Sequence, residues 1–221
     1  MTTSTLDLPT ALPLSGRLKT ETQSLHTAAE RHPFHQLLFA AAMPADRLAS
    51  QHAAAGRVQA ALERAVDAAL PGSPELRAVF RDHHRRAGLY AADVAGLGAP
   101  AAIGACEEES VFIADLARAD AAGLLGVLYV LEGSTNGGPF IQRALSRAMP
   151  GVTLKALSPH GDQQAARWAA FKESLDGLAM SEAQRATVVA WAGRTFAALC
   201  GMMSAVTAGM PPVTRASSPA H

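Results

Sequence analysis

The sequence predicts an all-α fold, and three observations carry that prediction. Apolar residues recur at three- and four-residue spacing through most of the chain, without the sustained alternation of a half-buried strand. Hydrophobic content is 49% while aromatic content is only 5%, so the apolar mass is mostly Ala and Leu, which favours helix over sheet. Pro, Gly and Ser fall between the periodic segments as boundaries. The 221 residues suffice for one large helical domain or two small ones, and no internal repeat stands out.

In chain order, Met1–Pro13 lacks periodicity and reads as a loose tail. Ser15 is placed to cap a first helix, about Gly16–Arg31, with Leu18, Leu25 and Ala28–Ala29 as its apolar stripe and His26 on its edge. After Pro33, a short helix takes Phe34–Ala41. Pro44 opens a long one over Ala45–Leu70, through Leu48, Val58, Leu62 and Val66. Pro71-Gly72 is a turn. Ser73 and Pro74 then start a helix expected to run unbroken to Leu97. Gly98–Gly104 is a linker, and Cys106–Ala117 is helical. Gln163–Leu178 carries Trp168, Phe171 and Leu175 on one side. Ser181 with Gln184 forms a capping box that starts a last helix to Thr207. Pro211–His221 is a polar tail.

The unusual stretch is Gly133-Ser134-Thr135-Asn136-Gly137-Gly138, inside an otherwise helical Leu124–Met149. Each interior glycine costs a helix up to about 1 kcal/mol relative to Ala. Gly133 and Gly137 are four apart and would share a helix face, so a flat ligand or a neighbouring helix could lie against bare backbone. Ser134, Thr135 and Asn136 set small polar groups beside that face. A glycine kink packed on another helix explains the same residues.

Lys+Arg and Asp+Glu both number 19, which argues against a generic nucleic-acid or membrane-surface binder. Cys106 and Cys200 form no metal or redox motif, which suits a reduced cytosolic compartment. No signal peptide is evident, and apolar runs are too short or too broken to span a bilayer. None of the eight histidines has Glu three residues before it, which removes the di-iron carboxylate pattern, and no His-Glu-x-x-His or paired Cys suggests zinc. His83-His84 reads as surface, and Glu107-Glu108-Glu109 as a solvated first helical turn. His26 has context: Lys19 lies seven residues earlier, about 10 Å along the same helix face. A base there could pair with a carboxylate on a ligand centred at His26. Together with the Gly-rich stretch, this suits a planar ligand held between two helices, with histidine axial on one side and space for a small molecule such as O2 on the other.

Leu18-Lys19-Thr20-Glu21-Thr22-Gln23-Ser24-Leu25-His26-Thr27-Ala28-Ala29-Glu30 resembles the proximal helix of haem oxygenases. Tyr129-Val130-Leu131-Glu132-Gly133-Ser134-Thr135-Asn136-Gly137-Gly138 resembles the distal helix of their bacterial, biliverdin-forming branch, often encoded with bacteriophytochromes. The resemblance spans about residues 15–207. It implies a single-domain haem oxygenase-like bundle of about seven to eight helices at 15–208, with tails at 1–14 and 209–221. It further implies His26 as the iron ligand, and Gly133, Ser134, Asn136 and Gly137 as the catalytic distal face. Lys19, Thr22, Glu30, Gly138 and Lys172 would contact haem b, which would be substrate and cofactor at once. The reaction implied is opening of haem to biliverdin, iron and carbon monoxide, using O2 and electrons from a ferredoxin or an NAD(P)H-dependent reductase. A bacteriophytochrome could receive the product, no membrane or nucleic acid takes part, and the setting is cytoplasmic. Ser134 stands where animal-type enzymes carry a water-ordering Asp, and Gly56-Arg57-Val58-Gln59 where many relatives have tyrosines. A haem-binding sensor or carrier without turnover, or a helical scaffold that binds no haem, are the other readings.

Overall fold

The computed structural model describes residues 12–98, 100–101 and 103–213. Of the expected tails at 1–14 and 209–221, residues 1–11 and 214–221 lie outside them, as do two linker positions, 99 and 102. Among the described residues the fold is all-α, with ten α-helices: α1 Leu14–Glu30, α2 Pro33–Phe39, α3 Ala45–Ala69, α4 Pro74–Val79, α5 Ala87–Leu97, α6 Glu107–Leu116, α7 Ala121–Ser134, α8 Gly138–Ala148, α9 Gln164–Asp176 and α10 Glu182–Thr207. The count exceeds eight because two expected helices each divide.

The centre is α7, where every residue from Ala122 to Glu132 is buried. A helix apolar all round belongs in a core, and α10, α3 and α4 pack around this one. The α7–α10 contact depends on two glycines. A Cβ on Gly126 would lie 2.2 Å from the Val188 carbonyl oxygen, and one on Gly123 would lie 2.6 Å from Nε1 of Trp191. Backbone thus meets backbone at one point and an indole fills the other. By length and composition α10 could cross a membrane. Here its apolar positions Val188, Ala192, Phe196, Met202 and Val206 are buried in the bundle. Its start is the expected capping box: Ser181 Oγ accepts from the Gln184 N–H, and the Gln184 side chain accepts from the Ser181 N–H. A second apolar cluster joins α2, α8 and the end of α10, with Met210 and Val213 of the following segment packed on it.

Four expectations are corrected. Helix α1 begins at Leu14, with Pro13 in the capping position. Ser15 lies inside the helix, and both its N–H and its hydroxyl donate to Asp176 on α9 at 2.7 Å. The helix expected over 74–97 breaks at Phe80, which is extended. Its continuation α5 is capped from a distance: Glu63 on α3 accepts from the N–H groups of Arg86 and Ala87. The break carries His84 and Arg86 inward, both 2% exposed, so His84 is not a surface residue. Burial pushes its pKa down to about 3. Finally, Glu109 is not solvated. It is 1% exposed and takes both Nε and Nη2 of Arg57.

A further buried imidazole links the fold to pH. His52 on α3 is 4% exposed, and burial lowers its pKa from 6.5 to about 4, although Asp93 at 4.0 Å opposes the shift. Between those values the unfolded ring holds the extra proton, so stability falls with falling pH, by about 3 kcal/mol at pH 4. Denaturant melts from pH 7 to 4 should show this slope added to that of His84, and His52→Gln should remove about 3 kcal/mol of it. Gly126→Ala should destabilise by about 1–3 kcal/mol or more, because the new methyl meets backbone that must move; a urea midpoint equal to wild type would mean that the helices are free to separate there.

Candidate functional site

The expected helix over 124–149 divides at its glycines. It ends at Ser134, passes through a 3-10 turn at Thr135–Gly137, and resumes as α8. A change of helical type frees carbonyls in the last α-turn. The three polar side chains answer them in order. Ser134 Oγ donates to the Leu131 carbonyl at 2.6 Å, Thr135 Oγ1 to Glu132 at 2.6 Å, and Asn136 Nδ2 to Gly133 at 3.0 Å. Gln164, the first residue of α9, donates to Thr135 Oγ1 and Asn136 Oδ1 and ties α9 to the turn.

The three glycines then differ. Gly137 is exposed with φ −79°, and a Cβ there would meet nothing within 4 Å. Gly133 is covered by Trp168 of α9, whose ring would lie 3.3 Å from a Cβ. Gly138 is buried, and its Cβ would fall 1.6 Å from the Leu157 carbonyl oxygen. Open backbone is therefore offered at Gly137, while Gly138 packs closely on the Leu157 carbonyl. Trp168 stacks on Phe171, tilts on Tyr129, and carries the Lys172 ammonium 5.6 Å from its ring centre. Lys172 thus comes to the glycine turn through Trp168.

The other half of the site is α1. His26 is half-exposed, its Nδ1 3.5 Å from Glu30 Oε2 and its ring edge-on to Phe196 of α10 at 5.9 Å. A carboxylate near Nδ1 leaves the other ring nitrogen, Nε2, free for a metal. Lys19 is exposed on the same helix. Thr22 is 4% exposed, and its hydroxyl donates to the Leu18 carbonyl. Helix α1 packs on α10 and α9, and those two helices in turn flank α7 and the 3-10 turn. The histidine and the glycine turn are thereby carried on one framework.

Sequence reasoning missed Trp168 as the cover of Gly133, and missed Glu132. That carboxylate is 0% exposed and lies 2.7 Å from Nε2 of His160. One signal was available: a lone acid directly after the apolar run Leu124–Leu131 needs a buried partner.

Solved structures share the whole fold. Heme oxygenase-1 of the cyanobacterium Synechocystis sp. PCC6803, in complex with heme, is 17% identical with a TM-score of 0.77, over 87% of this chain and 91% of that one. The heme oxygenase of Leptospira interrogans is 16% identical with a TM-score of 0.78, over 87% and 99%. Heme oxygenase-2 of Synechocystis, in complex with heme and NO, is 18% identical with a TM-score of 0.79, over 88% and 85%. No curated protein sequence matches the chain. The family model described as heme oxygenase matches residues 12–205, nearly the full described length, and the chain belongs to the heme oxygenase family.

Proposed function

We propose that the protein opens haem to biliverdin, ferrous iron and carbon monoxide, with O2 and electrons from a ferredoxin or an NAD(P)H-dependent reductase. The observation that carries this reading is a half-exposed imidazole on α1, linked through α10 and α9 to an open glycine backbone at Gly137. The residues fit haem. A half-exposed histidine with a carboxylate near one ring nitrogen would offer the other to iron. The empty position where a Gly137 Cβ would stand is the room that a flat macrocycle and a diatomic need.

In this reading His26 binds iron through Nε2 while Glu30 fixes the ring through Nδ1. Lys19 and Lys172 draw the two propionates by charge. When bound, haem supplies the redox centre at which O2 is reduced and directed onto the porphyrin edge. Gly137 keeps that side free of side-chain atoms, so shape selects the carbon attacked. Ser134 is exposed, and its hydroxyl donates inward to Leu131. Its lone pairs remain to hold a proton-delivering water, with no carboxylate at that position. Asn136 is engaged at both ends of its amide and serves to hold the turn. A cytoplasmic setting, with delivery of biliverdin to a bacteriophytochrome, is part of the same proposal.

The test is haemin addition followed by an electron-donor system in air with catalase. A Soret band that decays into the broad red absorption of biliverdin is expected. A stable Soret band would instead make the protein a haem carrier, and no band would remove the reading altogether. His26→Ala should alter the haem spectrum and cut turnover at least about tenfold; unchanged spectrum and rate would move the ligand elsewhere. Gly137→Ala separates fold from function. Alanine is the better helix former by up to about 1 kcal/mol, so thermal stability should hold or rise. Turnover, or the ratio of biliverdin isomers seen by chromatography, should change.

A further inference from the structure

Beside the glycine turn, on its buried side, lies a second group of ligand-type side chains that the haem reading does not use. His83 and His84 sit on the 3-10 turn Asp82–His84, Glu132 on the last turn of α7, and His160 just before α9. One ligand atom from each of His83, His84 and Glu132 lies within 4.8 Å of the other two. The His83 and His84 rings are 4.3 Å apart, and His160 stands 5.4 Å from His83. Three imidazoles converge on one carboxylate.

The bonding within the group leaves specific atoms free. His160 Nε2 is 2.7 Å from Glu132 Oε1, which fixes the carboxylate and leaves Oε2. Glu132 Oε2 and His84 Nε2 are both buried and have no hydrogen-bond partner among the described residues. Buried polar atoms are rarely left so, and a bound ion is one of the few reasons. His83 is partly exposed and gives the group a route to solvent. Two imidazoles and a carboxylate are a donor set for borderline divalent ions of the first transition row. Mg2+ and Ca2+ would instead call for oxygen donors.

We propose that His83, His84 and Glu132 bind one divalent transition-metal ion of the Zn2+ class, with His160 holding the carboxylate in place. His83 is partly exposed, and rotation of its ring would close the set. One rearrangement is required. His84 Nδ1 accepts the Arg81 N–H at 3.0 Å, which puts the proton of the neutral ring on Nε2. To bind through Nε2, that proton moves to Nδ1 and the Arg81 N–H turns to solvent. Arg81 is an exposed residue at the edge of the turn, so one hydrogen bond is exchanged for a set of metal–ligand bonds. The ion would join the Asp82–His84 turn to the end of α7, next to Gly133. The site is independent of haem and of the proposed reaction.

The test uses haem-free full-length protein, stripped with a chelator and titrated with Co2+ as a visible-absorbing stand-in, then with Zn2+. One Co2+ per chain, with ligand-field bands bleached by Zn2+, is expected. His83→Ala removes a partly exposed side chain, so its fold should survive, as checked by circular dichroism. It should weaken Co2+ binding at least about tenfold, the scale that even outer partners of a metal site carry. Glu132→Gln should abolish the bands, and His26→Ala should leave the titration unchanged. Zn2+ should raise the melting temperature of the wild type and not that of His83→Ala. Absence of Co2+ bands, bands that persist in a folded His83→Ala, or bands lost only in His26→Ala would each overturn the proposal.

Discussion

The close approach of α7 to α10 is the constraint on which the rest depends. A helix buried on all sides can be covered only if its neighbours come near, and here the Val188 carbonyl stands where a Cβ on Gly126 would go. That contact sets the depth of α7 in the bundle. It therefore sets where α7 emerges, at Glu132–Ser134. Trp191 fills the space left by Gly123, so the interface combines a bare-backbone point with a bulky plug. Close packing of this kind transmits displacement and does not absorb it. The glycine turn that follows inherits its position from a contact two helical turns away.

At that turn the helix changes type, and the polar run Ser134-Thr135-Asn136 makes the change tolerable. Three carbonyls in sequence receive three side-chain donors, so the backbone at the end of α7 is satisfied without help from a ligand. The side chains that keep water away from the backbone are thus the same small polar groups that border the open Gly137 face. Gly133 under Trp168, Gly137 in the open and Gly138 against Leu157 show that a glycine cluster need not serve one purpose. Gly138 is demanded by packing, Gly133 sits tightly under Trp168, and Gly137 leaves room beside the turn.

Much of this was legible from local pattern. The capping box at Ser181–Gln184, the start of α3 after Pro44, and the length of α10 follow from residues within one or two turns of each other. What was not legible depends on partners far along the chain. The break after α4 looks helical in sequence, because the acceptor that caps α5 is Glu63, 23 and 24 residues from the amides it binds. His83-His84 reads as surface because the segment's inward turn is fixed by tertiary bonds, among them that from Gln59 Nε2 to the His84 carbonyl. Glu109 lost its solvated reading to Arg57, 52 residues earlier. At the site, the α1 motif gave His26 and Glu30 their contact because i and i+4 meet on a helix. The same periodicity would have shown Thr22, four residues before His26, only if the core side of α1 had been drawn from Leu14 and Leu18.

The end of α7 finally has two chemical characters on two sides. Its exposed side presents Ser134 and the Gly137 backbone, neutral and small. Its buried side presents Glu132, held by His160 and surrounded by imidazoles. A carboxylate two residues from an open reaction face could reach that face if it were mobile. Here it is 0% exposed and bonded away. In the proposed reaction Glu132 therefore brings no charge to the open face, where position 134 offers only a hydroxyl. A family member without a carboxylate at position 134 can therefore differ from one with it in how its proton arrives, while the glycine backbone that shapes the site stays the same.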